Sequence, residues 1–162
     1  MNAELIRVAL RDTVKSDLET FFEQQLDPEA NRMTAFTSKN PYDRRAFDAH
    51  WAQIFADARI VIKTILANDR LAGYILHHPW FGEPEVTYWL GRDFWGKGIA
   101  SAALAEFVRH EKIRPLYGRV ARDNIASRRV LENSGFVRFG EDRGFSNARG
   151  EEVEELIYVL RH

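Results

Sequence analysis

The sequence predicts a single α/β (α+β) domain over residues 1–162, with a mixed, mostly antiparallel central sheet and helices on both of its faces. Two observations predict this fold. In the middle of the chain, segments rich in β-branched and aromatic residues follow one another across short turns, which is typical of an antiparallel meander. Further along, two helical segments alternate with strands, which is the kind of crossover that parallel neighbours require.

The first third of the chain predicts one strand and two helices. Residues 5–10 form the strand, and apolar residues at helical spacing over 14–26 form a helix capped by Asp12 and Thr13. Residues 27–40 lack a clear period and predict a loop. Asn40 and Pro41 then predict the start of a helix that runs to residue 57.

The rest of the chain predicts six strands and two helices. The meander comprises 59–66, 71–78 and 85–90, followed by a helix over 98–112, a strand over 116–120, a helix over 124–134, and closing strands over 136–140 and 154–160. The acidic run 151–155 predicts a solvated cluster. His77 and His78 are adjacent in a strand, so their side chains are expected on opposite faces, one exposed and one packed. They therefore do not predict a shared metal ion.

Composition excludes several classes of function. The formal net charge is −1, which gives no global attraction to nucleic acid or anionic lipid. The absence of cysteine excludes disulfides, thiolate metal sites and a cysteine nucleophile. No secretory signal or membrane-spanning run is apparent, so we expect a cytoplasmic protein with neither a nucleic-acid nor a membrane partner, and no metal.

The stretch "DFWGKGIASAAL" predicts a glycine turn at the start of a helix. Gly91, Gly96 and Lys97 approach a P-loop, but Gly98 replaces the hydroxyl residue that would hold Mg²⁺. Gly96 and Gly98 also approach a dinucleotide fingerprint, but Ser101 replaces its third glycine. Both patterns are incomplete, and a ligand-free turn is a third interpretation.

A second motif lies downstream. Residues 95–100, "WGKGIA", match the last two defined positions of Q/R-x-x-G-x-G/A, at Gly98 and Ala100. Residues 124–136, "NIASRRVLENSGF", match N-x-x-S-x-x-V-L-E-x-x-G-F. With these two motifs in this order, the chain resembles the GNAT superfamily of acetyl-CoA-dependent N-acetyltransferases, most of all its RimJ/RimL-like branch. Trp95 departs from the common Gln or Arg at the first position.

The resemblance implies a single GNAT-fold domain that uses acetyl-CoA as co-substrate. It implies that backbone N–H groups of the glycine loop bind the pyrophosphate, with Gly96 and Gly98 allowing close approach at a helix N-terminus. The residues concerned are Trp95, Gly96, Lys97, Gly98, Ile99, Ala100 and Ser101. It further implies that the pantetheine arm pairs with backbone around Trp89 and Leu90, that Asn124 contacts pantetheine and that Ser127 lies near the sulfur. Arg128, or alternatively Arg129, is the candidate to meet the phosphates. Asn124 can equally be a plain helix cap, and Ser127 and Arg128 plain surface residues.

The implied reaction moves the acetyl group to a primary amine, either a protein N-terminus or a small molecule, by direct attack. An ammonium group must lose a proton before it can attack, so the site needs a base. Glu85 is the candidate base, with Glu83 as the alternative. The tyrosine that many relatives use as the acid is Leu131 here, which leaves Ser127 as the catalytic hydroxyl.

The acceptor side and the competing functions follow from the same resemblance. The family places the acceptor near the region between the first two helices, which makes Glu29, Asn31 and Arg32 substrate candidates, while Trp80 and Phe81 can line the mouth of the site. A homodimer is a family-level expectation. Leu131 keeps open a non-catalytic acyl-CoA or nucleotide-binding module, and Gly98 disfavours a P-loop phosphotransferase.

Overall fold

The computed structural model describes residues 5–80 and 82–162. Its described part contains one sheet of seven strands: β1 (Val8–Asp12), β2 (Val61–Ala67), β3 (Arg70–Trp80), β4 (Glu83–Leu90), β5 (Leu116–Ala121), β6 (Val137–Ser146) and β7 (Glu151–Leu160). The five α-helices of that part are α1 (Leu18–Gln25), α2 (Pro28–Thr34), α3 (Arg44–Ala56), α4 (Ile99–His110) and α5 (Ile125–Asn133).

The sheet is mixed and mostly antiparallel, as the sequence predicts. Its strand order is β1-β2-β3-β4-β5-β7-β6, and the β4–β5 pair alone is parallel among the described strands. Helix α4 carries the chain across to reach that parallel neighbour. The parallel pair lies at the centre of the sheet.

Helices cover both faces, which confirms the predicted layers. On one face, α4 and α5 bury the larger core, with Leu104, Phe107 and Leu131 packed on strand residues such as Val86 and Leu156. We call this the α4/α5 face. On the other, Phe21 of α1 and Phe47 and Trp51 of α3 pack on Leu76 of β3; this is the α1/α3 face. Alternation along β4 sends Val86, Tyr88 and Leu90 to the α4/α5 face and the odd-numbered residues to the other.

The N-terminal third differs from its prediction in four places. Helix α1 begins at Leu18, after a 3-10 turn over Lys15–Asp17, so its cap is Asp17 and neither Asp12 nor Thr13. Strand β1 begins at Val8, where its register with β2 begins. The predicted loop contains α2, because the Asp27 carboxylate accepts a hydrogen bond from the Glu29 N–H at 3.0 Å and Pro28 fills the first helical position. Helix α3 begins at Arg44, later than predicted, because Asp43 is its cap.

Two further sequence predictions were wrong in part. The acidic run does not precede β7 but begins it, and Glu155 is not solvated: its side chain is 14% exposed and paired with Arg119. His77 and His78 do face opposite ways, toward Glu111 and Thr87 respectively. Neither is exposed, because both lie under helices at 4% and 9% exposure.

None of the helices in residues 5–80 and 82–162 is long and apolar enough to span a bilayer.

Candidate active site

Strands β4 and β5 separate at the centre of the sheet. Among the described residues they pair at two positions, Glu85 with Tyr117 and Val86 with Gly118. Beyond these, β4 continues to Leu90 and β5 to Ala121 without pairing with each other. The result is a wedge-shaped gap whose walls carry main-chain groups that an extended ligand can pair with.

The orientation of the β4 backbone decides which groups face this gap. The Gly91 N–H donates to the Ala72 carbonyl of β3 at 2.9 Å, and a Cβ added at Gly73 would lie 1.9 Å from the Trp89 carbonyl oxygen. Trp89 therefore presents its carbonyl to β3, and by alternation Tyr88 and Leu90 present their backbone to the gap. The Leu90 carbonyl accepts a hydrogen bond from the Trp95 indole at 3.0 Å, which ties the glycine loop to the end of β4.

The glycine loop enters α4 through two left-handed residues. Gly96 and Gly98 have φ angles of +70° and +75°, a region that residues with a Cβ avoid. Gly98 immediately precedes Ile99 and brings no side chain to cap the helix. The first-turn N–H groups, those of Ile99, Ala100 and Ser101, therefore have no intrahelical acceptor. With the positive end of the helix dipole, they form an environment suited to an anion.

Asn124 and Arg128 both have structural partners at the start of α5. The Asn124 side chain accepts from the Ser127 N–H and donates to the Met33 carbonyl of α2, both at 3.3 Å. Asn124 is thus the predicted cap, and it also joins α5 to α2. The Arg128 guanidinium donates to the Arg122 carbonyl at 3.0 Å and to the Tyr158 hydroxyl at 3.4 Å.

Tyr88 and Ser127 form a contact that the sequence did not predict. The Tyr88 hydroxyl lies 2.6 Å from the Ser127 hydroxyl and 3.2 Å from the Ser127 carbonyl oxygen. Burial raises the pKa of Tyr88 to about 12, although the bond to Ser127 acts in the opposite direction. Strand alternation within "TYWL" was the available signal, because it places Tyr88 on the face that α5 covers.

Glu85 lies on the α1/α3 face at the closed end of the gap. It is 6% exposed and paired in register with His78 of β3. Burial raises its pKa to about 7; the positive charge of Arg119 lowers it, and the negative charge of Glu155 raises it further. A carboxyl group that titrates near neutral pH is suited to accept a proton. Glu83, the alternative base, is exposed.

Arg119 and Glu155 surround Glu85, and the sequence did not single them out. The Glu85 carboxylate lies 3.4 Å from the Arg119 Nε, while Arg119 donates to Glu155 at 2.9 Å and to Asp142 at 3.1 Å. Burial also raises the pKa of Glu155. An arginine within the otherwise apolar strand "LYGRVA" was the signal that could have found this group, because a buried charge needs a partner.

The three acceptor-side candidates lie on α2. Glu29 and Arg32 form an ion pair with each other at 2.6 Å on its outer surface. Asn31 is buried, and its amide donates to the carbonyls of Gln25 and Asp27 at 2.7 and 3.0 Å, which secures the turn between α1 and α2. The end of α2 reaches the site through the bond between Asn124 and Met33. Phe81 and the side chain of Trp80 lie outside the described residues.

In residues 5–80 and 82–162, the structure has no group of three or more His, Asp or Glu side chains that could hold a metal ion.

Comparison with known proteins assigns the fold and the family. The family model described as "Acetyltransferase (GNAT) domain" matches residues 7–137. Over 136 residues the chain is 27% identical to "Putative ribosomal N-acetyltransferase YdaF" of Bacillus subtilis (strain 168), which covers 77% of this chain and 74% of that one. It is 28% identical over 83 residues to "Uncharacterized N-acetyltransferase p20" of Bacillus licheniformis, a match over 49% of this chain and about half, 47%, of that relative's length.

Solved structures agree on the fold. The structure of Mycobacterium smegmatis RimJ in complex with CoA-disulfide has a TM-score of 0.78 at 20% identity, covering 95% of this chain and 81% of that one. The match to the family model spans most of the chain, including the glycine loop, the β4–β5 gap and the start of α5. The chain belongs to the GNAT acetyltransferase family and is an acyltransferase.

Proposed function

We propose that this protein transfers an acetyl group from acetyl-CoA to a primary amine by direct attack, with Glu85 as the base. The separation of β4 from β5 carries this proposal. It creates a gap that has a helix start suited to an anion at its open side, a half-buried hydroxyl pair on one face and a carboxyl group of raised pKa on the other.

The glycine loop and the gap are suited to an extended ligand with a pyrophosphate at one end. The Trp95 N–H already donates to the Arg92 carbonyl at 3.0 Å, so the N–H groups from Gly96 to Ser101 are assigned to the phosphates, with Gly96, Lys97 and Gly98 exposed to receive them. Tyr88 and Leu90 face the gap and supply the backbone groups for the pantetheine amides. Because the Leu90 carbonyl already accepts from Trp95, the N–H of Leu90 is its available group.

The base and the group beside the leaving thiolate lie on opposite faces of β4. Glu85 and Tyr88 point to opposite faces and lie three residues apart, about 10 Å along the strand. The acceptor enters from the α1/α3 face, where Glu85 takes a proton from its ammonium group, directly or through water. The free amine then attacks the thioester carbonyl, the nitrogen loses its second proton, the carbon–sulfur bond breaks, and the thiolate leaves toward Ser127 and takes up that proton. Overall, an amine and acetyl-CoA give an amide and CoA thiol.

The acceptor is assigned as a protein N-terminus or a small-molecule amine. The name of YdaF, a putative ribosomal N-acetyltransferase, supports the first class. The net charge of −1 and the carboxylates around Arg119 are compatible with either. A homodimer and a cytoplasmic location stay predictions of the sequence.

The experiment is a thiol-release screen with acetyl-CoA and two panels of acceptors, short peptides with free N-termini and small amines including polyamines. Mass spectrometry of each product shows which nitrogen carries the acetyl group. Thiol release with an N-acetylated product supports the proposal. Calorimetric binding of acetyl-CoA with no transfer to any acceptor would identify a non-catalytic acyl-CoA-binding module instead, and no binding would contradict the assignment of the gap.

A further inference from the structure

The position of the tyrosine expected on α5 is part of the core in this chain. Leu131 is 1% exposed, and a Cβ added at Gly118 of β5 would lie 2.9 Å from the Leu131 Cδ2. The leucine side chain therefore fills the space over β5. Helix α5 provides no tyrosine hydroxyl from this position.

Tyr88 brings a hydroxyl to the same end of α5 from the strand side. Its ring packs against the core of the α4/α5 face, and its oxygen lies 2.6 Å from the Ser127 oxygen. A tyrosine hydroxyl has one hydrogen, and the Ser127 side-chain oxygen at 2.6 Å is a closer acceptor for it than the Ser127 carbonyl at 3.2 Å. When Tyr88 donates to the Ser127 hydroxyl, the hydrogen of Ser127 is directed elsewhere.

We propose that Tyr88 is a positioning residue that orients the Ser127 hydroxyl toward the sulfur of CoA, so that Ser127 stabilises the departing thiolate by a hydrogen bond. This inference rests on the proposed function, because it places the sulfur beside Ser127. It goes beyond that function in assigning Tyr88 a part in the departure of the leaving group.

The electron and proton balance of the step is simple. The amine nitrogen forms a bond to the carbonyl carbon, the carbon–sulfur bond breaks, and its electron pair stays on sulfur. Ser127 donates a hydrogen bond and keeps its proton, and so does Tyr88. The thiolate later takes up the proton that the amine has released. Tyr88 stays protonated because its raised pKa lies well above the ordinary thiol pKa of about 8.5.

The test uses CoA itself and needs no acceptor. Calorimetry first gives the Kd for CoA, and the ultraviolet absorbance of the thiolate against pH then gives the pKa of the bound CoA thiol. A hydrogen bond to the charged form lowers a pKa. We expect the wild-type complex to hold a thiol pKa below that of free CoA. Tyr88→Phe should reduce the thiolate fraction near neutral pH about three- to tenfold, with the Kd unchanged within about twofold.

Three further variants complete the design. Ser127→Ala should raise the thiol pKa at least as far as Tyr88→Phe, and the double variant no further, because both changes remove one interaction. Tyr74→Phe removes another buried tyrosine hydroxyl, on the α1/α3 face, and should leave the thiol pKa unchanged. If Tyr88→Phe does not fold, Ser127→Ala alone carries the test.

The outcomes separate the two proposals. If wild-type protein does not bind CoA, the proposed function fails. If CoA binds but its thiol pKa is the same in wild type, Tyr88→Phe and Ser127→Ala, the proposed function stands and the role of Tyr88 is contradicted. With an acceptor in hand, Tyr88→Phe should lower kcat while the KM for acetyl-CoA is retained, whereas a purely structural tyrosine would alter thermal stability without moving the thiol pKa.

Discussion

The Glu85 carboxylate of β4 lies 3.4 Å from the Arg119 Nε of β5, at the point where the two strands separate. Arg119 also pairs with Glu155 and Asp142, so several carboxylates share its charge. Burial raises the pKa of Glu85 and Arg119 lowers it, and the balance places that pKa near 7. The arginine therefore keeps the proposed base usable at neutral pH.

Removal of the Arg119 charge should shift the pH dependence of transfer. In Arg119→Met, the pKa of Glu85 should rise above its wild-type value of about 7, because the interaction that lowers it is lost. The midpoint of the rate against pH should move upward by about one unit. Arg119→Lys keeps the charge and should shift it less. An unchanged midpoint in Arg119→Met would show that Arg119 does not set the pKa of Glu85.

The free energy of unfolding should also depend on the protonation of Glu85. The folded pKa of Glu85, about 7, lies above its ordinary value of 4.5, so the folded state binds an extra proton between these pH values. The free energy of unfolding should therefore fall as pH rises through this window, by up to roughly 3 kcal/mol. Glu85→Gln should lack this fall. Urea unfolding of both proteins at about pH 4.5 and about pH 8 measures the difference, and a constant difference between the two would contradict the raised pKa.

Gly98→Val should abolish the binding of acetyl-CoA. The φ of +75° at Gly98 costs a residue with a side chain roughly 1–2 kcal/mol, and relief of that strain moves the start of α4. Gly82→Val is the matched control, because Gly82 has a φ of +80° and lies in the β3–β4 turn. Both variants should lose thermal stability, but only Gly98→Val should lose the calorimetric signal of acetyl-CoA. Equal affinity in the two would refute the assignment of the loop.

Leu131→Tyr should destabilise the protein and should not accelerate transfer. The position is buried against Gly118, and a larger side chain there overpacks the core at a cost of about 1–3 kcal/mol. Urea unfolding measures the loss, and Leu131→Met, which conserves volume, should cost less. A Leu131→Tyr enzyme that is stable and transfers acetyl groups faster than wild type would contradict this, because it would show that Tyr88 and Ser127 do not replace a tyrosine hydroxyl on α5.

Local sequence signals predicted the main elements of the fold. The meander, the glycine loop and the Asn124 cap each depend on neighbours in sequence, and the structure confirms all three as structural features. Helix α2 was missed because its signal, Asp27 followed by Pro28, stands in a segment without apolar periodicity. The cap alone was enough to begin a short helix there.

The contacts around Glu85 and Tyr88 depend on the arrangement of the strands. Glu85 meets Arg119 because β4 and β5 are parallel neighbours, and Arg119 meets Glu155 because β7 inserts between β5 and β6. Neither adjacency follows from a local pattern. An arginine in the apolar strand β5 signals a charge that needs partners, but those partners are set by strands about 35 residues away on each side.

The most direct test of the proposed mechanism is the pH dependence of acetyl transfer by wild type, Glu85→Gln and Glu83→Gln with one acceptor amine. The acceptor's own titration is common to all three, so the contribution of Glu85 is read from their differences. We predict that the wild-type rate rises with pH through about 7, that Glu83→Gln behaves like wild type, and that Glu85→Gln is slower by about a hundredfold or more and lacks that inflection. A Glu85→Gln enzyme with the wild-type rate and inflection would contradict the role of Glu85 as the base.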